Sequence, residues 1–447
     1  MQKDFIKRLL AIAVPVTLQN LIASSLNLVD TVMIGSLGEV SIAAVGLANQ
    51  FFFLFHLLIF GTLSGMTVFI AQFWGKKDLP NIHKTLGMGL TIGIIGTMVF
   101  SVLGWIAPHW VLGFYSNDPE VVRLGSQYLR IVVSCYLGTA LSFTFGFSSR
   151  SIGNAKLPMI VSMIALGSNT LLNYLLIFGN FGFPQLGVQG AAIATFVSRW
   201  LEFFLILILM KRQKSPLLTK ISHYFSYSKE FVIRVLKTSG PVIFNELLWA
   251  LGMTLHMVAY AHIGTQAVAS IQIANTVNGL FIVFGFGVAN ACAVILGNTL
   301  GEGKIDEAKV EGRWFLKIAF GLGTVLGLVL MVSKPFALQF YSVQNLTLAV
   351  ASGLLTVMAI SMPIRMMNAT IIVGVLRSGG DTRYALFVDV GSVWFVGTAL
   401  AFFGAYILQW PMVWVYALVT LMEVAKIFTG LPRVLTNRWA RNLVDEL

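Results

Sequence analysis

The sequence predicts an all-α integral membrane protein of about twelve transmembrane helices, arranged as two parallel six-helix repeats, an N-lobe and a C-lobe. Three observations predict it. First, 57% of the 447 residues are hydrophobic and only 11% are charged, with a mean hydropathy of +0.83. A soluble domain carries about 25% charged residues, so this chain cannot clothe a soluble core of its own length. Second, the apolar residues fall in about twelve runs, each near the roughly 20 residues that cross about 30 Å of hydrocarbon. Third, the two halves of the chain align with each other.

The first run, near 9–34, follows the basic stretch MQKDFIKRLL. It is too long and too polar-studded for a signal peptide and reads as an uncleaved spanning helix. On it Asn20, Ser24, Asn27 and Thr31 recur at helical spacing, with Asp30 beside them. An aspartate at the centre of a spanning helix costs roughly 2.5–3.5 kcal/mol, so this stripe faces protein or water rather than lipid. The next runs lie near 43–73, 85–107 and 121–147; the fifth, near 158–179, places Asn169 and Asn173 one turn apart. Those amides either help a carboxylate hold a cation or bond between helices. The sixth, near 186–210, carries Arg199 and Glu202, expected as a structural ion pair near the cytoplasmic surface.

The stretch 211–237, KRQKSPLLTKISHYFSYSKEFVIRVLK, is the longest polar segment and divides the chain into 1–210, a linker, and 238–447. Its second part reads as an amphipathic helix lying along the membrane face. The seventh run, near 238–262, carries Glu246, Trp249, Met253, His256 and Tyr260 on one stripe. An acid, aromatics and a thioether on one face suit an organic cation, so these residues are expected to line a substrate cavity, or to pack a helix interface. Asn275 on the eighth run (267–299) and Arg365 and Asn368 on the tenth (346–375) join that expectation, with Arg365 expected to pair with an acid across the bundle. The ninth run spans 314–334. Asp389 marks the eleventh (384–407), and the twelfth (411–431) repeats the sixth with Glu423 and Lys426 three residues apart, again expected near the cytoplasmic surface.

The basic residues alternate by loop. About 24 of the 30 lysines and arginines fall in the terminal segments and every second loop, which places both termini in the cytoplasm if every run spans. Short clusters between apolar runs are a topology signal rather than a nucleic-acid footprint, despite a net charge of +12. Cys135 and Cys292 both sit within apolar runs, without metal-ligand spacing.

The repeat aligns without gaps from Pro15 and Pro241: Gly38 falls on Gly264, Ala48-Asn49 on Ala274-Asn275, Gly75 on Gly301 and Asp30 on His256. SRSIGNAK (149–156) matches LRSGGDTR (376–383). Such fused repeats are a secondary-transporter architecture. Walker A, HExxH and GxSxG motifs are absent from the sequence, and GLGTVLG (321–327) lies inside an apolar run, where glycine serves close helix packing. The sequence therefore points to a transporter driven by an ion gradient, with no cofactor, rather than to an enzyme or a scaffold.

VDTVMIGSLG (29–38), GKKD (75–78), GEGK (301–304), LRSGGDTR and the six-plus-six repeat together resemble the multidrug and toxic compound extrusion (MATE) transporters over nearly the whole chain. The resemblance implies a bacterial-type, cell-membrane antiporter, Na⁺- or H⁺-coupled, exporting cationic amphipathic compounds by alternating access as a functional monomer among membrane lipids. It implies cation coupling at Asp30 with Asn169, and at Glu246, with Na⁺ possible at either acid. Asn173 stands where some members carry a second aspartate. The tenth helix lacks the aspartate that accompanies the seventh-helix glutamate in other members, which leaves Asp389 as its substitute. A flippase for lipid-linked oligosaccharide or polysaccharide, from the same superfamily, is the alternative; it wants a larger and more cationic cavity.

Overall fold

The computed structural model describes residues 2–341 and 343–445, and among them all regular structure is helical. Twelve helices are long and apolar enough to cross a membrane. They are α1 (Gln2–Gly35), α2 (Glu39–Lys76), α3 (Leu79–Ile106), α4 (Pro119–Ser151), α5 (Lys156–Phe178), α6 (Val188–Arg212), α7 (Lys229–Ile263), α8 (Thr265–Gly301), α9 (Ile305–Leu338), α10 (Asn345–Leu376), α11 (Thr382–Ile407) and α12 (Met412–Leu435). Each expected run coincides with one of them. The outward residues are large and apolar: Val332, Phe395 and Phe428 are more than three-quarters exposed. Such a surface suits hydrocarbon, where backbone groups must be satisfied inside each helix.

The helices outrun the apolar segments at their basic ends. Helix α7 begins at Lys229, so the second part of the 211–237 stretch is not a separate helix along the membrane face. It forms the first turns of α7. Ser228 is the reason: its hydroxyl accepts from the Phe231 amide at 3.2 Å and its carbonyl from Val232 at 3.1 Å, while Phe231 and Val235 are buried. The segment before it is pinned to α3. The Tyr227 hydroxyl meets Thr91 at 2.7 Å, the His83 ring meets the Pro216 carbonyl at 2.8 Å, and the Tyr224 backbone lies against Gly87. Burial pushes the pKa of the Tyr224 phenol up.

Contacts group the chain into two compact units: residues 18–70 with 78–235, and residues 1–17 and 71–77 with 236–447. We call them the N-unit and the C-unit. The change of grouping inside α1 falls two residues after Pro15, which cannot donate to the helix ladder.

The N-unit core gathers Phe51, Phe55, Leu129, Tyr136 and Ile177, with Phe55 and Tyr136 stacked at 4.6 Å. The C-unit core mixes small alanines such as Ala351 and Ala401 with leucines and methionines, among them Leu330, Leu354, Met358 and Met362. The N-terminal segment belongs to the C-unit through Phe5, wedged edge-on between Trp314 and Phe315 at 5.2 and 4.9 Å, and through Arg8, which donates to the buried Glu311.

Residues 71–77 enter the C-unit where the end of α2 crosses the end of α8. A Cβ on Gly75 would meet the Asn298 carbonyl at 2.0 Å, and one on Gly301 would meet the Gln72 carbonyl at 1.9 Å. Only glycine fits at both positions, and the two contacts are each other's repeat image. Beside this crossing the chain after α12 is threaded inward. Trp439 is fully buried, its carbonyl against Gly379. The buried Gln72 amide donates to the carbonyls of Ser378 (2.7 Å) and Arg441 (3.2 Å) and accepts from the Leu443 amide at 2.7 Å.

Candidate functional site

The first candidate lies wholly in the N-unit. A cavity of about 420 Å³ is bordered by Asn27 and Asp30 of α1, Asn169 and Asn173 of α5, and Arg199 and Glu202 of α6. Helix α1 presents Asp30 there because its polar stripe turns away from the apolar face. The stripe's backbone loses little, since Thr31 and Ser25 each bond back to the carbonyl four residues earlier. Asp30 Oδ1 accepts from Asn173 Nδ2 at 2.9 Å. The carbonyl Oδ1 of Asn173 is buried and has no hydrogen-bond partner. A carboxylate beside an orphaned amide oxygen is a donor set for a hard cation such as Na⁺, and a buried carboxylate can also take H⁺.

Sequence reasoning brought Asp30, Asn27, Asn169 and Asn173 to this place but misplaced the α6 pair. Arg199 Nη1 donates to Glu202 Oε2 at 2.9 Å, as the three-residue spacing suggests. Yet the pair lies at the middle of α6 and on the cavity wall. Spacing reports that two charges can meet; it does not report the depth. Glu202 Oε1 also accepts from Ser162 Oγ at 2.9 Å, which in turn accepts from Gln19 Nε2 at 2.8 Å. Ser162 and Gln19 carried no signal in the sequence beyond being polar in apolar runs.

The C-unit pairs its acids with its own bases. Glu246 accepts from Arg377 Nη2 at 2.8 Å. Asp389 accepts from Lys426 Nζ at 2.9 Å and from Asn245 Nδ2 at 3.0 Å. Lys426 also lies 3.6 Å from Glu423, whose carboxylate takes the Asn368 amide at 2.8 Å. The expected Na⁺ position at Glu246 is thus faced by a guanidinium, and Asp389 by an ammonium. The reason is that Arg377 and Lys426, read as loop and surface residues, are themselves buried. Glu423, like Glu202, is a mid-helix group and not a surface one.

Glu246, Trp249, Met253, His256 and Tyr260 share one face of α7, and that face is unevenly buried. Glu246 is part-buried, His256 and Tyr260 are buried, and Trp249 is 36% exposed. Trp394 of α11 packs beside this stretch: its indole donates to the Leu248 carbonyl at 2.9 Å and its ring lies against Gly252. His256 lies against Gly397, on a π-helical turn of α11 (Ser392–Thr398), as a packing residue. Met253 is half-buried, and Asn275 is exposed on α8. Arg365 makes no ion pair among the described residues, and its Nη1 is buried without a partner, so the expected cross-bundle acid is not there. Cys135 and Cys292 are buried free thiols.

Comparison with known proteins follows the same two-part layout. The MatE family model matches residues 15–175 and again 241–403. The probable multidrug resistance protein YoeA of Bacillus subtilis is 27% identical over 87% of this chain and 84% of its own length. The probable multidrug resistance protein NorM of Thermotoga maritima is 22% identical, over 89% and 85%. Among solved structures, a point mutant of the Vibrio cholerae MATE transporter VcmN superposes with a TM-score of 0.89 at 18% identity, over 99% of this chain and 98% of that one. A MATE structure in complex with MaL6 gives 0.87 at 19%, over 97% of each chain. The two matched halves, the twelve membrane helices and the shared fold lead to one conclusion: the chain belongs to the MatE family of multi-pass membrane transporters.

Proposed function

We propose that the protein is a cation-coupled antiporter that exports cationic amphipathic compounds by alternating access, with both termini in the cytoplasm. The observation that carries this is Asp30, an intramembrane carboxylate on an N-unit cavity beside the amides of Asn173 and Asn169. There a coupling ion, H⁺ or Na⁺, and an organic cation compete for one negative charge. A ligand shifts a two-state equilibrium only through its differential affinity, and the linkage is reciprocal: ion binding weakens cargo binding by the factor that cargo weakens ion binding. Multidrug resistance in the names of the relatives supports the cargo class.

The acids of the C-unit serve this cycle as structure. Glu246 is faced by Arg377, and Asp389 and Glu423 share Lys426, so we assign the coupling site to the N-unit. The flippase reading loses support on the same grounds. A pyrophosphate head group wants free cations, and the arginine on the N-unit cavity wall is engaged by Glu202; Arg365 of the C-unit, which makes no ion pair among the described residues, is the residue that favours that reading.

The test is ethidium transport in proteoliposomes with pH and sodium gradients imposed separately. One of the two gradients drives export by the wild type. Asp30→Asn, still folded and inserted, loses the driven component by roughly tenfold or more, within the usual range of coupling energies. Full gradient-driven export by a well-expressed Asp30→Asn protein would sink the reading.

A further inference from the structure

Two carboxylates and one guanidinium border the N-unit cavity. One arginine cannot neutralise two acids, so the wall carries one uncompensated negative charge when all three are ionised. The three groups are not held alike. Glu202 is 5% exposed and fixed from two elements, by Arg199 on its own helix and by Ser162 of α5, itself anchored to Gln19 of α1. Arg199 makes a single end-on contact to Glu202 through Nη1 and keeps 26% of its side chain exposed. Its positive charge acts on Asp30 from across the cavity. The other ionisable groups around the site are placed differently. Tyr128 and Cys135 of α4 are buried in the wall, and His56 of α2 stacks among Phe52, Phe60 and Phe143. Arg150 faces Glu202 from the far side, across a gap of about 30 Å³. The guanidinium of Arg199 is the loosely held charge.

We propose that Arg199 is a tethered counter-ion that competes with the coupling cation for Asp30, and that Glu202 is the berth that holds it away while the cation is bound. The inference rests on the reading of Asp30 as the coupling site. It adds a residue that sets how tightly the site holds its ion. With Arg199 on Glu202, as here, Asp30 is open to a cation. With Arg199 on Asp30 the cation is excluded, and Glu202 keeps the Ser162 hydroxyl as its hydrogen-bond donor. The exchange takes the guanidinium across the cavity that Asp30, Arg199 and Glu202 share. The apparent ion affinity is then reduced by the fraction of molecules with Arg199 on Asp30.

The experiment measures, in proteoliposomes, the concentration of the driving ion (H⁺ or Na⁺, whichever drives the wild type) that half-activates ethidium export. Glu202→Gln removes the berth and sends Arg199 to Asp30, so the half-activating concentration rises about tenfold while the maximal rate persists. Adding Arg199→Gln to Glu202→Gln brings it back by most of that shift. Arg199→Gln alone lowers it severalfold. A Glu202→Gln protein with the wild-type half-activating concentration overturns the proposal, as does a shift that Arg199→Gln does not reverse. If Glu202→Gln fails to fold, Arg199→Gln decides alone: an unchanged or raised value overturns the proposal. Asp30→Asn separates the two levels. If it abolishes ion dependence while Glu202→Gln shifts nothing, the counter-ion falls and the coupling site stands; if Asp30→Asn stays fully driven, both fall.

Discussion

At the scale of single residues, the polar groups in this chain divide by whether their partner lies on the same helix or another. Asp30, Asn169 and Asn173 were legible in the sequence because each is a polar group in an apolar run, and burying one there is costly without a purpose. What their sequence positions could not show was the contact itself, Asn173 to Asp30 across α1 and α5. Arg199 and Glu202 were legible as a pair and illegible as cavity walls. Backbone conformation gives a further residue-scale case. Lys77 takes the left-handed conformation, φ 61°, at the turn where its repeat partner is Gly303, φ 78°. A side chain at such an angle costs about 1–2 kcal/mol, which glycine avoids. Lys77→Gly should therefore raise the thermal midpoint in detergent, by the equivalent of about 0.5–1 kcal/mol. No rise would show that the second half's glycine is not there for its conformation.

At the scale of elements, the twelve spans were readable from hydropathy, and their ends were not. Helix α7 starts well before its apolar run because Ser228 caps it, a local hydrogen bond that no window average registers. Helical spacing puts Trp249 with Glu246 and His256 on one face of α7, but spacing does not report depth: Trp249 is 36% exposed and His256 is buried. The C-unit acids show the energetics of the element scale. Lys426 holds Asp389 and stands near Glu423, all three buried. Breaking a buried pair by removing one partner costs about 3–5 kcal/mol, whereas removing both charges is far cheaper. Lys426→Met should be strongly destabilised in a melting assay, and Asp389→Asn added to it should recover at least half of the loss. A Lys426→Met protein as stable as wild type would mean that the carboxylates find water instead.

At the scale of the whole molecule, the repeat is the governing fact. It was visible in sequence as a gapless alignment, and the family match falls on the chain twice in the same register. What sequence could not reveal is that the first half lends segments to the second: residues 1–17 and 71–77 group with residues 236–447. The glycine crossing makes the second of these possible. Gly75 and Gly301 were aligned in sequence, but their opposition to Asn298 and Gln72 needed three dimensions. Gly301→Val puts carbon into a backbone carbonyl that has no room to retreat, and overpacking of this kind costs about 1–3 kcal/mol or more. The expected result is a lower melting point and a lower yield of monodisperse protein. Wild-type stability would show that the crossing is loose.

Gln72 adds a dimension of time. Its side chain leaves the ribosome early, yet two of its three hydrogen-bond partners, Arg441 and Leu443, lie 369 and 371 residues downstream. At about 5–20 residues per second, the amide waits on the order of tens of seconds for them. Through that interval a polar group destined for a fully buried position must stay hydrated or borrow other partners. Trp439, similarly far downstream, is buried in the same unit. A chain cut before residue 441 would leave the Gln72 amide without two of its three partners.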